Sequence, residues 1–171
     1  SHRVETGEPY IVFKNTVQEA LPFYQLEKGL RVHHSNLCSE ITLATNEERT
    51  AVCCLSSVNL EEYDEWKNDK NFIPDLIRML DNVITYFVEN APDTLSKAKF
   101  SAKMERSLGL GAMGFHAYLQ RKNVPFESPM AVGVNKQMFG HIKKEAVNAT
   151  KTLAVERGEA PDAVGQGVRN V

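Results

Sequence analysis

An amide, a thiol and a carboxylate alternate in the segment HSNLCSEITL, residues 34–43. Cys38 lies two residues after Asn36 and two residues before Glu40. Because side chains repeat with a period of two in an extended segment, we expect all three groups to point to one side. A free cysteine is often only a small buried apolar residue. An unpaired amide and carboxylate are costly to bury, however, so this polar pattern in an otherwise apolar stretch favours a functional role.

The other two cysteines are adjacent in TAVCCLSSVNL, Thr50–Leu60, which has the composition of a strand. Cys53 and Cys54 would then face opposite sides of the sheet, which argues against a shared zinc site. Three cysteines are an odd number, so we expect reduced or reactive thiols instead of a disulfide framework.

Strand and helix patterns alternate along the chain, which predicts α/β architecture with parallel strands. The stretch 16–29 is ambiguous and resembles a short helix interrupted by Pro22, and residues 30–45 look extended. The other predicted elements are a strand at Pro9–Phe13, a strand at Thr50–Leu60, a helix over Asn71–Asn90, a strand leading into a helix within RSLGLGAMGFHAYLQRK, and a helix over Val134–Arg157 that Gly158 ends.

Three glycines in that strand-to-helix segment, Gly109, Gly111 and Gly114, satisfy the pattern G-x-G-x-x-G. In a dinucleotide-binding domain, an acid follows about 20 residues later at the end of a second strand. Glu127 lies at a suitable distance, but within a loop-like segment with two prolines. Close packing of a strand against a helix is therefore the preferred explanation of these glycines.

Bulk composition indicates one soluble domain, or part of one. Of the 171 residues, 42% are hydrophobic and 25% are charged, and the formal net charge is -2. Such a balance argues against nucleic acid or an anionic membrane as the partner. No apolar run approaches the roughly 20 residues that span a bilayer, and the N-terminus lacks a signal-peptide pattern, so we expect a cytoplasmic chain.

Four segments taken in order resemble the large (alpha) subunit of class I ribonucleotide reductase, specifically its central catalytic portion. They are SNLCSEI, then AVCCLSS with Cys53 fifteen residues after Cys38, then RSLGLGAMGF and PFES. The resemblance runs from about Thr6 to Arg169. It implies part of a ten-stranded α/β barrel with a central finger loop. Residues 1–171 would be a single partial barrel domain, with the loop at about 30–41 and second-half barrel strands and helices at about 50–171.

The resemblance also implies a role for each polar residue. Cys38 matches the cysteine that becomes a thiyl radical, Glu40 the general base on the ribose 3'-hydroxyl, and Asn36 the amide that orients the ribose. Cys53 matches one of two cysteines that supply reducing electrons by forming a disulfide. A slip of one position would give that role to Cys54, since only one of the pair can face the site.

Several partners follow from the same resemblance. Ser35 and Leu55, with Asn36, would contact the ribonucleoside diphosphate substrate. No cofactor or metal is expected in this chain, whereas a separate radical-generating beta subunit would carry a metal cofactor, and thioredoxin or glutaredoxin would be the external reductant. The family's first redox cysteine and phosphate-binding loop have no match here. We therefore expect a split subunit, spliced segment or excised fragment that is inert until companion polypeptides complete it.

Two alternatives stay open from the sequence. One is a nucleotide-binding or regulatory module that keeps the scaffold and performs no chemistry. The other is a reductase of another radical class, dependent on cobalamin or on a glycyl radical. The wording of NLCSEI and AVCCLSS favours class I.

Overall fold

A computed structural model describes residues 2–170, which contain two strands and eight α-helices. The strands are β1 (Cys54–Asn59) and β2 (Leu108–Met113). The helices are α1 (His2–Thr6), α2 (Lys14–Glu19), α3 (Phe23–Glu27), α4 (Tyr63–Trp66), α5 (Phe72–Asn90), α6 (Ser96–Glu105), α7 (Phe115–Arg121) and α8 (Pro129–Arg157). Short 3-10 turns lie at Leu60–Glu62, Asp93–Leu95 and Pro161–Ala163.

The two strands are parallel neighbours, joined by a crossover that contains α4, α5 and α6. Leu55 is the register partner of Gly109, and Val58 is the partner of Ala112. Alternate side chains face opposite sides of the sheet. Val58 and Leu110 pack into the core on one side, whereas Leu55 is 53% exposed on the other. One face of the sheet is therefore covered by helices, and the other is open.

Helices α5 and α8 cover the closed face and supply most of the core. Buried residues on α5 recur at the three- and four-residue spacing of an amphipathic helix: Ile73, Ile77, Leu80 and Ile84. Burying each such side chain stabilises the fold by about 1.5–3 kcal/mol. This packing holds β1 and β2 from behind and leaves their other face available for a site.

Asp81 on α5 accepts hydrogen bonds from four buried or half-buried donors. Arg106 Nη2 lies 2.6 Å from its carboxylate, Arg157 Nη1 2.7 Å, Arg169 Nε 2.9 Å and Asn170 Nδ2 2.9 Å. These donors come from the end of α6, the end of α8 and the last described segment. The carboxylate therefore joins three parts of the chain behind the sheet.

The long helices agree with the sequence-based predictions. Helix α5 begins at Phe72 after Asn71 and ends at Asn90, which confirms the predicted range. Helix α8 ends before Gly158, as expected, but it begins at Pro129, before the predicted Val134. The Ser128 hydroxyl accepts a hydrogen bond from Ala131 N–H at 3.2 Å, and proline is favoured in a first helical turn.

The structure also settles the ambiguous stretch near the N-terminus and the role of the three glycines. The ambiguous stretch 16–29 contains two short helices, and Pro22 caps the second of them. Gly109 and Gly111 lie inside β2, and Gly114, with φ of 79°, makes the turn into α7. The strand-to-helix prediction is confirmed. Because two of the three glycines lie within the strand, the segment does not form a phosphate-binding turn.

Two predictions of extended structure are wrong. Pro9–Phe13 is not a strand, because no neighbouring strand within the described residues pairs with it, and its large side chains are exposed. Residues 30–45 form no paired strand, and a turn at 37–39 interrupts the extended segment that was predicted there. The predicted strand at Thr50–Leu60 does exist, but it is shorter and begins at Cys54.

The predicted α/β class with parallel strands is confirmed. The sheet within residues 2–170 has two strands and is not closed into a barrel. No helix in that range is both long and apolar enough to cross a bilayer.

Candidate active site

The loop that carries Cys38 runs out from the body of the protein and returns beside itself. At its base, Gln18 on α2 donates to Leu30 C=O at 3.0 Å and accepts from Val32 N–H at 3.0 Å. The two arms of the loop are joined by one hydrogen bond, in which Thr45 N–H donates to Arg31 C=O at 3.2 Å. These bonds fix both ends of the loop although it has no regular secondary structure.

Cys38 lies at the tip of this loop, in a turn. Ser39 N–H donates to Asn36 C=O at 3.0 Å, and Ser39 has φ of 63° in the left-handed region. The turn reverses the chain, so the period-two alignment predicted for Asn36, Cys38 and Glu40 is wrong. Cys38 is exposed within this turn.

The turn nevertheless brings Asn36 and Glu40 together. Asn36 Nδ2 donates to Glu40 Oε1 at 2.7 Å, and Asn36 Oδ1 accepts from Ile41 N–H at 3.0 Å. The Ser35 hydroxyl donates to Ile41 C=O at 2.6 Å. One amide side chain therefore spans the turn, orients the carboxylate and leaves Cys38 between the two groups.

Cys53 lies directly before β1, beneath this loop. Its thiol lines a cavity of about 410 Å³ together with Ser35 and Asn36, and a second cavity of about 290 Å³ together with Glu40. Leu55 lines both cavities as well. Apolar side chains of the loop and β2 supply most of the remaining walls. The structure thus places Cys53 and Leu55 beside Asn36, Ser35 and Glu40.

Cys54 and Cys38 are arranged differently. Cys54 is absent from the lining of both cavities, as expected for a strand residue that follows one facing the site. Cys38 also lies outside the two linings, because the turn carries it into solvent. Among the three cysteines, therefore, only Cys53 lines the cavities, and Cys38 is exposed in the turn of the loop.

Burial raises the pKa of the Cys53 thiol to about 11, with smaller contributions from Cys54, Glu40 and Glu105. Burial also raises the pKa of Cys54, and the positive charge of Arg106 opposes this effect. Both thiols are accordingly protonated near neutral pH. A protonated thiol can supply hydrogen, whereas a nucleophile or a metal ligand needs the thiolate.

Sequence reasoning assigned Gly109 on β2 to strand–helix packing and missed its place in the site. Gly109 lines the smaller cavity, and a Cβ built on it would lie 3.3 Å from Cys53 Sγ. The signal for this role is that Gly109 pairs with Leu55 on the neighbouring strand. That pairing can be recognised only when the register of β1 against β2 is known. No three histidine, cysteine or acidic side chains in the described part of the chain are placed to hold a metal ion.

These features define an α/β protein with a cysteine-tipped loop over the open face of a parallel sheet. The chain belongs to the ribonucleotide reductase barrel-domain family, whose family model matches residues 1–168.

Similar proteins of known name are large subunits of ribonucleoside-diphosphate reductases. The chain is 50% identical over 167 residues to a ribonucleoside-diphosphate reductase large subunit of Invertebrate iridescent virus 3, covering 98% of this chain and 26% of that protein. It is 52% identical to a putative large subunit of Frog virus 3, covering 98% of this chain and 30% of the relative. The chain thus spans less than a third of the length of these two relatives.

A solved structure of a ribonucleotide reductase has the same fold as this chain. The class Id ribonucleotide reductase alpha subunit of Actinobacillus ureae superposes with a TM-score of 0.93 at 38% identity. The match covers 98% of this chain and 32% of the Actinobacillus protein. This similarity supports class I over the cobalamin-dependent and glycyl-radical alternatives.

Proposed function

We propose that this chain carries the radical site of a class I ribonucleoside-diphosphate reductase, with the thiyl radical formed at Cys38. The observation that carries the proposal is the hydrogen bond from Asn36 to Glu40, which spans the turn with Cys38 at its apex. An amide, a carboxylate and an exposed thiol are thereby presented together, above a second thiol in the cavities below. This arrangement suits a small polyhydroxylated substrate.

Each group has a distinct task in this proposal. A thiyl radical at Cys38 takes the 3'-hydrogen of the ribose and returns it after reduction, which is possible because the S–H and C3'–H bonds are similar in strength. Glu40 accepts the 3'-hydroxyl proton, which assists loss of the 2'-hydroxyl as water. Asn36 orients the ribose and Leu55 contacts the substrate, whereas the Ser35 hydroxyl holds the loop through its hydrogen bond to Ile41 C=O. Holding all these groups in one geometry lowers the barrier by removing orientational freedom.

Cys53 is the proposed source of reducing electrons. It forms a disulfide with a second cysteine, and the two thiols together release two electrons and two protons to the substrate. The neutral state of the Cys53 thiol fits this task, because its proton is retained until the reaction needs it. Cys54 faces away from the cavities and is not assigned a step.

The proposal requires polypeptide beyond these residues. The two-stranded sheet is open, and the relatives are several times longer than this chain. We infer that companion segments supply the other strands of a ten-stranded barrel, the second redox cysteine and the phosphate contacts. A radical-generating beta subunit with its own metal cofactor and a thioredoxin or glutaredoxin complete the system. Without them, the chain is expected to be inactive.

The test uses the reductase assembled from this chain, the companion segments and the beta subunit. Cys38→Ser is expected to abolish deoxynucleotide formation while the complex still binds ribonucleoside diphosphate. Cys53→Ser is expected to abolish turnover and to leave exchange of a tritium label at the ribose 3'-carbon, because that step precedes reduction.

Cys54→Ser is the matched control, since Cys54 lines neither cavity, and its activity should remain within about twofold of the parent because the change is nearly isosteric and lies outside the proposed site. Substantial turnover by Cys38→Ser would contradict the proposal. The alternative of a regulatory module would instead gain support if the parent assembly bound nucleotide and produced no deoxynucleotide.

A further inference from the structure

Gly109 on β2 lies so close to two side chains of the site that there is no room for a side chain of its own. A Cβ built there would lie 2.3 Å from Leu55 Cδ2 and 3.3 Å from Cys53 Sγ. Carbon atoms in ordinary contact are about 3.5–4.0 Å apart. Leu55 therefore occupies the volume that any other residue at position 109 would fill.

The strand register explains this close approach. Leu55 and Gly109 are direct partners on the parallel strands, and Cys53 precedes Leu55 by two residues, so all three lie on the open face. With glycine opposite, the Leu55 side chain extends across β2. Gly111 is less tightly restricted, because its Cβ would meet Ser57 Oγ at 3.1 Å.

Displacing Leu55 has one predictable consequence. Leu55 and Cys53 line both cavities, so a Leu55 side chain pushed off β2 moves into space beside the Cys53 thiol. The added methyl group would itself cover a second side of the sulfur. Both changes reduce the clearance around Cys53 Sγ, which is already half-buried.

We propose that Gly109 is a positioning residue: it lets Leu55 lie across β2 and thereby keeps the Cys53 thiol open to an incoming sulfur atom. The functional meaning of this inference rests on the proposed redox role of Cys53. Disulfide formation needs a second sulfur to approach within bonding distance, so the clearance at Cys53 limits which group can reach it. Glycine at position 109 is thus needed so that a second sulfur can reach Cys53, and it also allows close packing of the strands.

The test measures access directly and does not depend on turnover. In the assembled reductase, with Cys38→Ser and Cys54→Ser introduced, Cys53 is the only thiol of this chain, and its alkylation by a small reagent (iodoacetamide) and a bulky one (a pyrene maleimide) is followed by mass spectrometry of the peptide that contains it. Gly109→Ala should slow the bulky reagent by at least about fivefold and the small reagent by less, since thiol reaction rates depend on access. A change in thiol acidity would slow both reagents by the same factor.

Two further variants make the result decisive. Leu55→Ala, added to Gly109→Ala, should restore the bulky reagent's rate, and Leu55→Ala alone should raise it above that of the parent. Gly140→Ala on α8 is the matched control, because no atom beyond the neighbouring backbone of its own helix lies within 4 Å of a Cβ built there. It should label like the parent.

The inference is overturned if Gly109→Ala labels at the parent rate, if both reagents slow equally, or if Leu55→Ala fails to restore access. Should Gly109→Ala not fold, as judged by circular dichroism, Leu55→Ala alone decides the question, because an unchanged rate there would exclude Leu55 as the limit on clearance. None of these outcomes depends on whether Cys38 forms a radical, so failure here is separate from failure of the proposed function.

Discussion

The side chain of Asn36 donates to Glu40 at 2.7 Å across the turn that carries Cys38. The same amide accepts from Ile41 N–H, so both of its polar atoms are used within the loop. The carboxylate is therefore oriented before substrate arrives. In the proposed reaction this preorganisation matters more than the affinity of either group for the ribose, because misplacement of a base by about 1 Å can lower a rate 100-fold.

Asn36→Ala is expected to release Glu40 and lower kcat of the assembled reductase on the order of 100-fold, the range lost when a general base is no longer positioned. Steady-state deoxynucleotide formation measures it, and Asn135→Ala on the exposed surface of α8 serves as the control. A kcat within twofold of the parent would show that the Asn36 to Glu40 bond has no part in turnover.

The sequence allowed the helices to be predicted well and the loop poorly, for a physical reason. The α5 range follows from apolar spacing and local caps, which are properties of neighbouring residues. The turn at Cys38 depends on side-chain bonds from Asn36 and Ser35 and on a left-handed Ser39. A period-two argument contains none of that information, although it did select the residues that meet.

Long-range pairing was the other limit. Pro9–Phe13 has strand-like composition, but a strand also needs a neighbour, which no local pattern supplies. Gly109 could be interpreted only once β1 and β2 were in register, because its importance lies in Leu55, fifty-four positions earlier in the chain. The roles proposed for Cys38 and Cys53 came from the resemblance, because spacing alone could not assign them.

Ser35→Ala tests whether this hydroxyl holds the loop or binds substrate. Its bond to Ile41 C=O at 2.6 Å predicts a loop-holding role, so kcat should fall by about 2–10-fold with little change in KM, consistent with loss of one hydrogen bond of roughly 0.5–1.5 kcal/mol. Ser35→Thr, which keeps the hydroxyl, should restore kcat. A raised KM at unchanged kcat would instead indicate direct substrate contact.

The raised pKa of Cys53 predicts how its reactivity depends on pH. Because the thiolate reacts and the pKa is about 11, the alkylation rate should rise about tenfold for each pH unit across pH 7–10 without levelling off. Peptide mass spectrometry at a series of pH values measures it, with the exposed Cys38 in the same sample as a reference for accessibility. A Cys53 rate that levels off near pH 8 would contradict the burial of this thiol.

Asp81→Asn is expected to destabilise the fold by about 3–5 kcal/mol, the loss typical when one partner of a buried ion pair is removed. The change leaves Arg106 and Arg169 buried without their carboxylate. Urea unfolding followed by circular dichroism measures the difference. Asp75→Asn, in the exposed first turn of the same helix, is the matched control and should cost no more than about 1 kcal/mol.

Acid provides an independent check on the same carboxylate. Burial alone would raise the pKa of Asp81, but hydrogen bonds from Asn170, Arg106, Arg169 and Arg157 prevail and lower it to about 2, from a usual value of 3.8. A group with a depressed pKa in the folded state stabilises the fold above its unfolded pKa, and that contribution is lost as the pH falls from about 4 to 2. The parent should therefore lose stability in this window more steeply than Asp81→Asn, which has no carboxyl to protonate at that position. Parallel curves for the two proteins would mean that Asp81 does not hold the three arginines together in solution.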